Sequence, residues 1–251
     1  MRVGCAAHEI GSAEHAKGGT RDIVGYTFQF GDVLSYWPLL VKGALATLGF
    51  ALAAMAFSLA LGTFGALARR SRRQWLRGVG TAYVELIRNT PLLVQLFILY
   101  FGLPSLGIRL SPNTAALIGL SIYNGAYVTE ILRAGIQAVH RSQIEAGLSI
   151  GMSRFQVFFY VVARPALEKI SPALSSHFVL LMLGTSMVSA IGAEDLTAFA
   201  DEIQSANFRS LEVYIVCTGI YLVLALSLRS MLRLVGDSLF SYRQPSAAVA
   251  R

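Results

Sequence analysis

Charged residues are scarce in this chain. Only 14% of its 251 residues are Asp, Glu, Lys or Arg, whereas 55% are hydrophobic, and the mean hydropathy is +0.58. A soluble domain carries about a quarter charged residues, so this chain has too few to cover a surface that faces water. Residues 43–68 contain no charge and, as a helix, are long enough to cross a bilayer with tilt. This run is too long, and starts too far into the chain, for a signal peptide. An integral membrane protein is therefore predicted.

Cysteine and nucleotide-binding motifs are also missing. Cys5 and Cys217 are too few and too far apart for a disulfide framework or a metal site, and Cys217 lies inside an apolar run. No GxxxxGKS or GxxxxGKT phosphate loop occurs, so any ATP hydrolysis must take place on another chain. The apolar runs hold no set of convergent catalytic groups. We therefore predict that the chain is not an enzyme and that it binds no metal or cofactor itself.

The apolar runs divide the chain into five predicted membrane helices. Counted by length, they cover residues 39–68, 79–103, 112–139, 172–192 and 213–235. The predicted fold class is thus an all-α membrane protein with about five transmembrane helices. Residues 1–25 are polar, rich in glycine and without periodicity, which indicates a disordered extension or a misplaced start. The membrane domain would occupy residues 26–240, and residues 241–251 would form a tail.

Positive charge follows alternate runs. A net charge of +7 would raise nucleic acid as a partner for a soluble protein, but here the basic residues cluster after the first, third and fifth runs. These residues are Arg69, Arg70, Arg72, Arg73, Arg77, Arg141, Arg154, Arg164, Lys169, Arg229, Arg233, Arg243 and Arg251. The opposite loops hold Arg109 alone and Arg209 among four acids. Since cytoplasmic loops carry the excess of Lys and Arg, we predict the amino terminus outside, the carboxyl terminus in the cytoplasm, and no nucleic-acid partner.

A polar segment, HRSQIEAGLSIGMSRF at residues 140–155, separates the third and fourth runs. Ser142 with Glu145, and Ser153 with Gln156, have the spacing of a helix capping box. Gly151 has the position of a glycine that ends a helix. The pattern predicts a short helix, a glycine bend and a second, amphipathic helix within a loop over residues 140–171. Helix connections usually need two to eight residues, so this loop indicates a docking site for a soluble partner, or alternatively an interfacial helix.

Several motifs resemble one family of transporters. EAGLSIG (145–151) resembles the cytoplasmic EAA loop of ABC importer permeases. RNTPLLVQLFILYFGLP (88–104), GAYVTEILRAGI (125–136) and TSMVSAIGAEDLT (185–197) resemble the branch that imports histidine, glutamate, glutamine, arginine, opines and other polar amino acids. With YTFQFGDVLSYWPLLVKGALATL from residue 26, the resemblance covers residues 26–240 in order. Gly147 departs from it by replacing the second alanine of the EAA pattern, and Leu183 and Gly184 replace a frequent Lys-Asp pair.

The resemblance implies a type I ABC importer permease in the bacterial cytoplasmic (inner) membrane. Such permeases form dimers, with an identical or a sister subunit, and each carries a cytoplasmic ATPase that binds ATP and Mg²⁺. A binding protein delivers substrate from outside. The residues implied to couple to the ATPase are Ser142, Glu145, Ala146, Gly147, Gly151 and Arg154, and Phe155, Phe158 and Phe159 would anchor the next helix in the core. ATPase closure would then switch the dimer between outward and inward access.

Polar residues inside the runs are candidates for a substrate pathway. They are Tyr123, Asn124, Tyr127, Thr185, Ser186 and Ser189. They either line a polar chamber or bond packed helices to one another. Two i,i+3 pairs, Glu85 with Arg88 and Glu130 with Arg133, form structural ion pairs or, alternatively, a gate. His177 is interpreted as a bonded packing residue.

Two other functions remain open from the sequence. An ATP-independent channel or carrier would need no coupling loop and no partner ATPase. An ABC permease for another small solute, such as an opine or methionine, would share the architecture and differ in cargo.

Overall fold

The computed structural model describes residues 27–239, which form helices joined by short turns. The predictions for residues 1–25 and 241–251 lie outside the described residues. The helices are α1 (Phe30–Leu34), α2 (Trp37–Arg70), α3 (Gln74–Arg88), α4 (Leu92–Phe97), α5 (Pro112–Gln137), α6 (Arg141–Ser149), α7 (Arg154–Gln156), α8 (Arg164–Gly184), α9 (Leu196–Asn207) and α10 (Ser210–Leu239). A π-helical turn (Ile98–Gly102) and a 3₁₀ turn (Leu103–Leu106) extend α4. A π-helical turn (Val157–Ala163) joins α7 to α8, and a 3₁₀ segment (Thr185–Ile191) extends α8.

Four stretches are long and apolar enough to cross a membrane. They are α2, α5, the continuous helical run Arg154–Ile191 and Ser210–Ser238 within α10. A fifth span results if α3 and the stretch Leu92–Leu106 are counted together. The predicted all-α membrane fold with about five spans is confirmed.

The second predicted span, 79–103, is not one straight helix. It is broken after Arg88, and the two halves are bent by 108°. Proline has no N–H to donate and pushes the residue before it out of the helical region, so Pro91 ends α3 and starts a new direction. Pro91 itself has an extended backbone, with φ −64° and ψ 138°. Hydropathy detected the run because it depends on composition and not on direction.

The fourth predicted span begins too late. Residues 172–192 were expected to start at a proline, but α8 begins at Arg164 and Pro172 lies in its interior. Pro165 lies in the first turn of α8, where the π-helical turn Val157–Ala163 changes to α-helix. A proline in the interior can be tolerated in membrane helices because neighbouring groups satisfy the freed backbone.

The core is built around α5. It crosses α2 closely, because a Cβ on Gly62 would lie 2.4 Å from Val128 Cγ1 and 3.0 Å from the Thr129 nitrogen. Asn124 on α5 donates to Ser58 Oγ on α2 over 2.6 Å. Small residues that let backbones approach, with polar groups bonded across the contact, are the usual means of packing membrane helices.

The short helix α9 closes one end of the bundle. Its N-cap is the buried Asp195, whose carboxylate accepts from the Ala198 N–H (2.9 Å) and from the Tyr221 hydroxyl (3.0 Å). Burial raises the pKa of the Asp195 carboxyl above its usual value, although these hydrogen bonds oppose the shift. The Leu196 N–H donates to Thr47 Oγ1 over 3.0 Å, which fixes α9 on α2.

Candidate coupling loop and intramembrane polar sites

The polar loop begins with a helix capped by histidine. The imidazole Nδ1 of His140 accepts from the Ser142 N–H (3.3 Å) and lies 2.7 Å from Ser142 Oγ. The predicted capping box of Ser142 and Glu145 is therefore wrong: Ser142 lies in the first turn of α6, and Glu145 accepts from Arg141 Nε over 3.0 Å. His140 takes the capping position because its ring nitrogen reaches the same free N–H groups.

The end of α6 is a glycine bend. The Gly151 N–H donates to the Leu148 carbonyl (3.1 Å) and the Met152 N–H donates to the Gly147 carbonyl (3.2 Å). Together these bonds make a Schellman motif, in which the residue after the cap is left-handed. Gly151 has φ +84°, so it has the conformation that glycine adopts without steric cost. The predicted glycine bend is confirmed.

The next helix begins with a complete capping box. Ser153 Oγ accepts from the Gln156 N–H (3.3 Å), and Gln156 Oε1 accepts from the Ser153 N–H (2.8 Å). This prediction is also confirmed. The bend between α6 and α7 is therefore held by hydrogen bonds on both sides.

The helix α6 packs against the following helical stretch with Gly147 at the contact. Gly147 is the buried residue of α6, and a Cβ there would lie 3.1 Å from Val157 Cγ2. Such a contact is tighter than most side chains make, so glycine allows α6 to approach Val157 closely. This close approach lies at the position where the EAA pattern has its second alanine. The other residues predicted to couple to the ATPase are exposed: Ser142, Glu145, Ala146, Gly151 and Arg154.

The predicted core position of the phenylalanines is wrong. Phe155 is 72% exposed and Phe159 is 51% exposed, with their ring centroids 4.5 Å apart. Phe158 is half-buried. Val157 and Val162 face the core instead, because they lie on the opposite side of this helical stretch from Phe155 and Phe159.

An ion network joins α5 to α2. Glu130 pairs with Arg133, as predicted, and also with Arg69 Nη1 at 2.5 Å. Arg133 Nη1 donates further to Gln137 Oε1 over 2.7 Å. Arg69 could not be predicted as a partner of Glu130 from the sequence, because the two residues are 61 positions apart along the chain. Its only signal was its place at the end of α2, the helix that packs against α5.

The other predicted pair does not form. Within the described part of the chain, no ion pair joins Glu85 to Arg88. Glu85 accepts from Asn89 Nδ2 over 3.2 Å. The Arg88 guanidinium lies instead over the ring of Tyr127, with its carbon 5.2 Å from the ring centroid.

Arg88 belongs to a cluster that the sequence did not show as a unit. The Tyr123 and Tyr127 hydroxyls are 3.2 Å apart, and His177 stacks on Tyr127 with ring centroids 4.7 Å apart. His177 packs on α5 as expected, but its buried Nε2 has no hydrogen-bond partner among the described residues. We call Arg88, Tyr123, Tyr127 and His177 the aromatic cluster. It places a cation, two hydroxyls and an imidazole together beside α5.

The remaining pathway candidates separate into two groups. Asn124 and Thr185 are both fully buried, but only Asn124 bonds to another helix, through Ser58 on α2, as the packing alternative predicts. The Thr185 hydroxyl donates to the Met182 carbonyl of its own helical run. Ser186 and Ser189 are half-buried, and their hydroxyls donate to the Leu183 and Ser186 carbonyls, each over 2.9 Å.

Comparison with known families identifies the chain. The family described as "Binding-protein-dependent transport system inner membrane component" matches residues 58–240. The chain belongs to this family. The permease, as we call it from here, is a multi-pass component of the inner membrane, and the resemblance inferred from its motifs is confirmed.

Its relatives carry names of amino-acid transporters. The glutamine transport system permease protein GlnP of Escherichia coli is 35% identical over 198 residues, covering 78% of this chain and 90% of that protein. The L-cystine transport system permease protein TcyB of Bacillus subtilis is 38% identical over 191 residues, covering 76% and 82%.

Solved structures support the same assignment. One described as an amino acid ABC transporter with histidines is 38% identical, with a TM-score of 0.80 over 85% of the permease and all of that chain. The MetNI methionine ABC transporter, at 19% identity and a TM-score of 0.64, covers 80% of the permease and 98% of that chain, and it shows a shared fold only. The predicted fold of a type I importer permease is confirmed.

Proposed function

We propose that the permease is the membrane subunit of an ABC importer that moves polar amino acids across the cytoplasmic membrane by alternating access. A separate ATPase subunit, which binds ATP and Mg²⁺, would dock on α6 and supply the energy. The observation that carries this proposal is the rigid, exposed helix α6, clamped by the Schellman motif on Gly151 and the capping box of Ser153 and Gln156.

Because hydrogen bonds fix the bend, α6 can transmit movement to the next helix. Its outer face is polar and exposed, whereas Gly147 rests on Val157 at the start of the helical run Arg154–Ile191. A partner that moves α6 would therefore move this membrane-spanning run with it. Rigid-body motion of this kind, between two packed arrangements, is a common way to open and close a transport path.

The remaining partners follow from the family. A second permease subunit, identical or related, would complete the transport path, and a binding protein outside the membrane would deliver the substrate. The charge distribution supports an amino terminus outside and a carboxyl terminus in the cytoplasm, which puts α6 on the ATPase side. The lipid bilayer surrounds the exposed apolar faces of the spans.

The aromatic cluster is the candidate substrate contact. The guanidinium of Arg88 suits the carboxylate of an amino acid, and the hydroxyls of Tyr123 and Tyr127 suit its polar groups. The names of the relatives, with glutamine and cystine as cargo, support this class of substrate. Ser186 and Ser189 would line the path further along. The Glu130 network and Glu85 would form part of a cytoplasmic gate.

Reconstitution tests the proposal directly. The permease is placed in proteoliposomes with its ATPase and binding protein, and uptake of radiolabelled glutamine, cystine and histidine is measured with and without ATP on the ATPase side. We expect uptake that depends on ATP and on the binding protein, and none with an ATPase that cannot hydrolyse ATP. Equal uptake without ATP would overturn the importer proposal in favour of a carrier or channel.

Cysteine labelling tests the orientation. Ile150 and Leu106 are equally exposed, at 79% and 75%, and lie beyond opposite ends of α5. With Cys5 and Cys217 replaced by serine, Ile150→Cys and Leu106→Cys are treated with a membrane-impermeant maleimide in spheroplasts. Leu106→Cys should react at once and Ile150→Cys only after permeabilisation. The reverse order would place α6 outside and remove the ATPase contact.

A further inference from the structure

Two adjoining cavities lie between α2, α5 and the helical run that starts at Arg154. The first, of about 250 Å³, is an apolar groove whose walls include Ala66, Leu67, Leu132, Ala163 and Leu167. The second, of about 590 Å³, opens beside α6, and we call it the arginine mouth. Three residues, Arg70, Ile136 and Phe158, line both cavities, so the groove and the mouth lie side by side.

The arginine mouth carries an excess of positive charge. Arg70, Arg133, Arg141 and Arg154 line it, and no carboxylate does. Arg133 is engaged by Glu130, and Arg141 by Glu145. Arg70 and Arg154 have no ion-pair partner within residues 27–239. Two cations therefore remain available at the opening of an apolar groove.

We propose that this combined site binds one anionic phospholipid. Its phosphate would lie between Arg70 and Arg154, and one acyl chain would occupy the groove past Phe158. The arginine mouth requires an acidic head group, and the apolar groove requires an acyl chain. A free anion would leave the apolar groove empty, and a neutral chain would leave two cations without a counter-charge. Basic pockets between membrane helices are a known way to hold acidic head groups.

The location fits a lipid ligand. Arg70 is the last residue of the membrane helix α2, so the mouth opens at the edge of the membrane and the groove runs inward from it. The inner side of α6 borders the mouth through Arg141, Ile144 and Leu148, while Glu145 on the same helix is not part of its lining. The lipid would therefore support α6 from the membrane side and leave its outer face free for the ATPase.

Lipid retention tests the site without reference to transport. The purified permease complex is exchanged into detergent micelles containing phosphatidylglycerol and phosphatidylethanolamine, and bound lipid is counted by native mass spectrometry. The wild type should retain about one phosphatidylglycerol per permease chain, in preference to phosphatidylethanolamine. Arg70→Gln/Arg154→Gln should lose this retention at least tenfold. The matched control Arg72→Gln/Arg77→Gln alters two nearby arginines that do not line the mouth, and it should behave as wild type.

Two further arms separate the lipid from other ligands. Ala163→Phe fills the groove without changing any charge, and it should also abolish retention. Inorganic phosphate at millimolar concentration should not displace phosphatidylglycerol from the wild type. Equal retention by the Arg70/Arg154 variant, or displacement by phosphate alone, would overturn the proposal. Equal retention of the two lipids by the wild type would also overturn the proposal, even if a variant fails to fold.

Discussion

Gln95 donates from Nε2 to the carbonyl oxygen of Ile87 over 2.9 Å, across the bend between α3 and α4. In a continuous helix that carbonyl would accept from the residue four places later, which is Pro91 and has no N–H. The Gln95 amide also reaches the Thr90 carbonyl (3.1 Å) and Thr90 Oγ1 (2.7 Å). The side chain thus supplies the Ile87 carbonyl with the donor that Pro91 lacks. Inside a membrane, non-helical backbone needs such partners because water is absent.

Gln95→Leu removes these donors and keeps a side chain of similar size. Because at least one backbone carbonyl is left without a partner, we expect a loss of about 1–3 kcal/mol of stability. Thermal unfolding of the purified permease in detergent measures it. Gln74→Leu, at the exposed start of α3, is the control and should melt like the wild type. Identical curves for both variants would show that Gln95 does not stabilise the bend.

Gly62→Leu should disrupt the contact between α2 and α5. Even a Cβ at this position would lie 2.4 Å from Val128 Cγ1, so a larger side chain must push the helices apart. Overpacking of this kind costs about 1–3 kcal/mol. Gly49→Leu lies on the same helix with nothing within 4 Å, and it should be tolerated. The yield of monodisperse protein after size-exclusion chromatography compares the two, and a well-behaved Gly62→Leu variant would contradict the close crossing.

Glu130→Gln should weaken the network that holds α2 to α5. Glu130, Arg69 and Arg133 have side chains only 23%, 16% and 29% exposed, so loss of the carboxylate charge leaves two arginines poorly compensated. We expect a loss of about 1.5–3 kcal/mol.

Glu145→Gln is the matched control for that substitution. Its pair with Arg141 is 61% and 89% exposed, and exposed pairs contribute about 0–1 kcal/mol. It should therefore leave the melting temperature almost unchanged and reduce stimulation of the ATPase, because Glu145 lies on the proposed docking face. Equal destabilisation by the two variants would argue against a structural role specific to Glu130.

Gly151→Val should uncouple transport while the permease still inserts into the membrane. A side chain in the left-handed region costs about 1–2 kcal/mol, which shifts the equilibrium between the bent loop and its alternatives by roughly tenfold. ATP-driven uptake should fall accordingly, with membrane levels unchanged on immunoblots.

Gly107→Val is the control, because it introduces the same left-handed backbone strain at a position outside the α6 loop. Gly107 has φ +82°, close to the +84° of Gly151, and a side chain at either would meet nothing within 4 Å. Because it lies beyond the other end of α5, away from α6, its variant should keep most of the uptake. Normal transport by Gly151→Val, or equal loss in both, would remove the special role of the α6 bend.

Local patterns predicted local structure well. Gly151 and the Ser153–Gln156 box were read correctly, because their bonds span only a few residues. The Ser142 box was misread for an equally local reason, since His140 caps the helix two residues earlier. Long apolar runs located the spans, but they could not show that the chain turns by 108° at the break before Pro91.

Contacts between segments that are far apart along the chain could not be predicted from the sequence. Glu85 with Arg88 and Glu130 with Arg133 have the same spacing, yet only the second pair forms. The difference lies in tertiary neighbours: Arg69 approaches Glu130 from α2, whereas Tyr127 draws Arg88 away from Glu85. The aromatic cluster was missed as a unit for the same reason, because it joins α3, α5 and α8.

The Schellman motif at Gly151 and the capping box of Ser153 and Gln156 fix the short stretch between α6 and α7, so it does not rotate freely. The orientation of α6 relative to the helical run Arg154–Ile191 is therefore fixed. An insertion of a single amino acid after Ser153 that lengthens α7 by one residue would rotate α6 relative to that run by about 100°. The orientation of α6 thus depends on the length of this loop as well as on its amino-acid sequence.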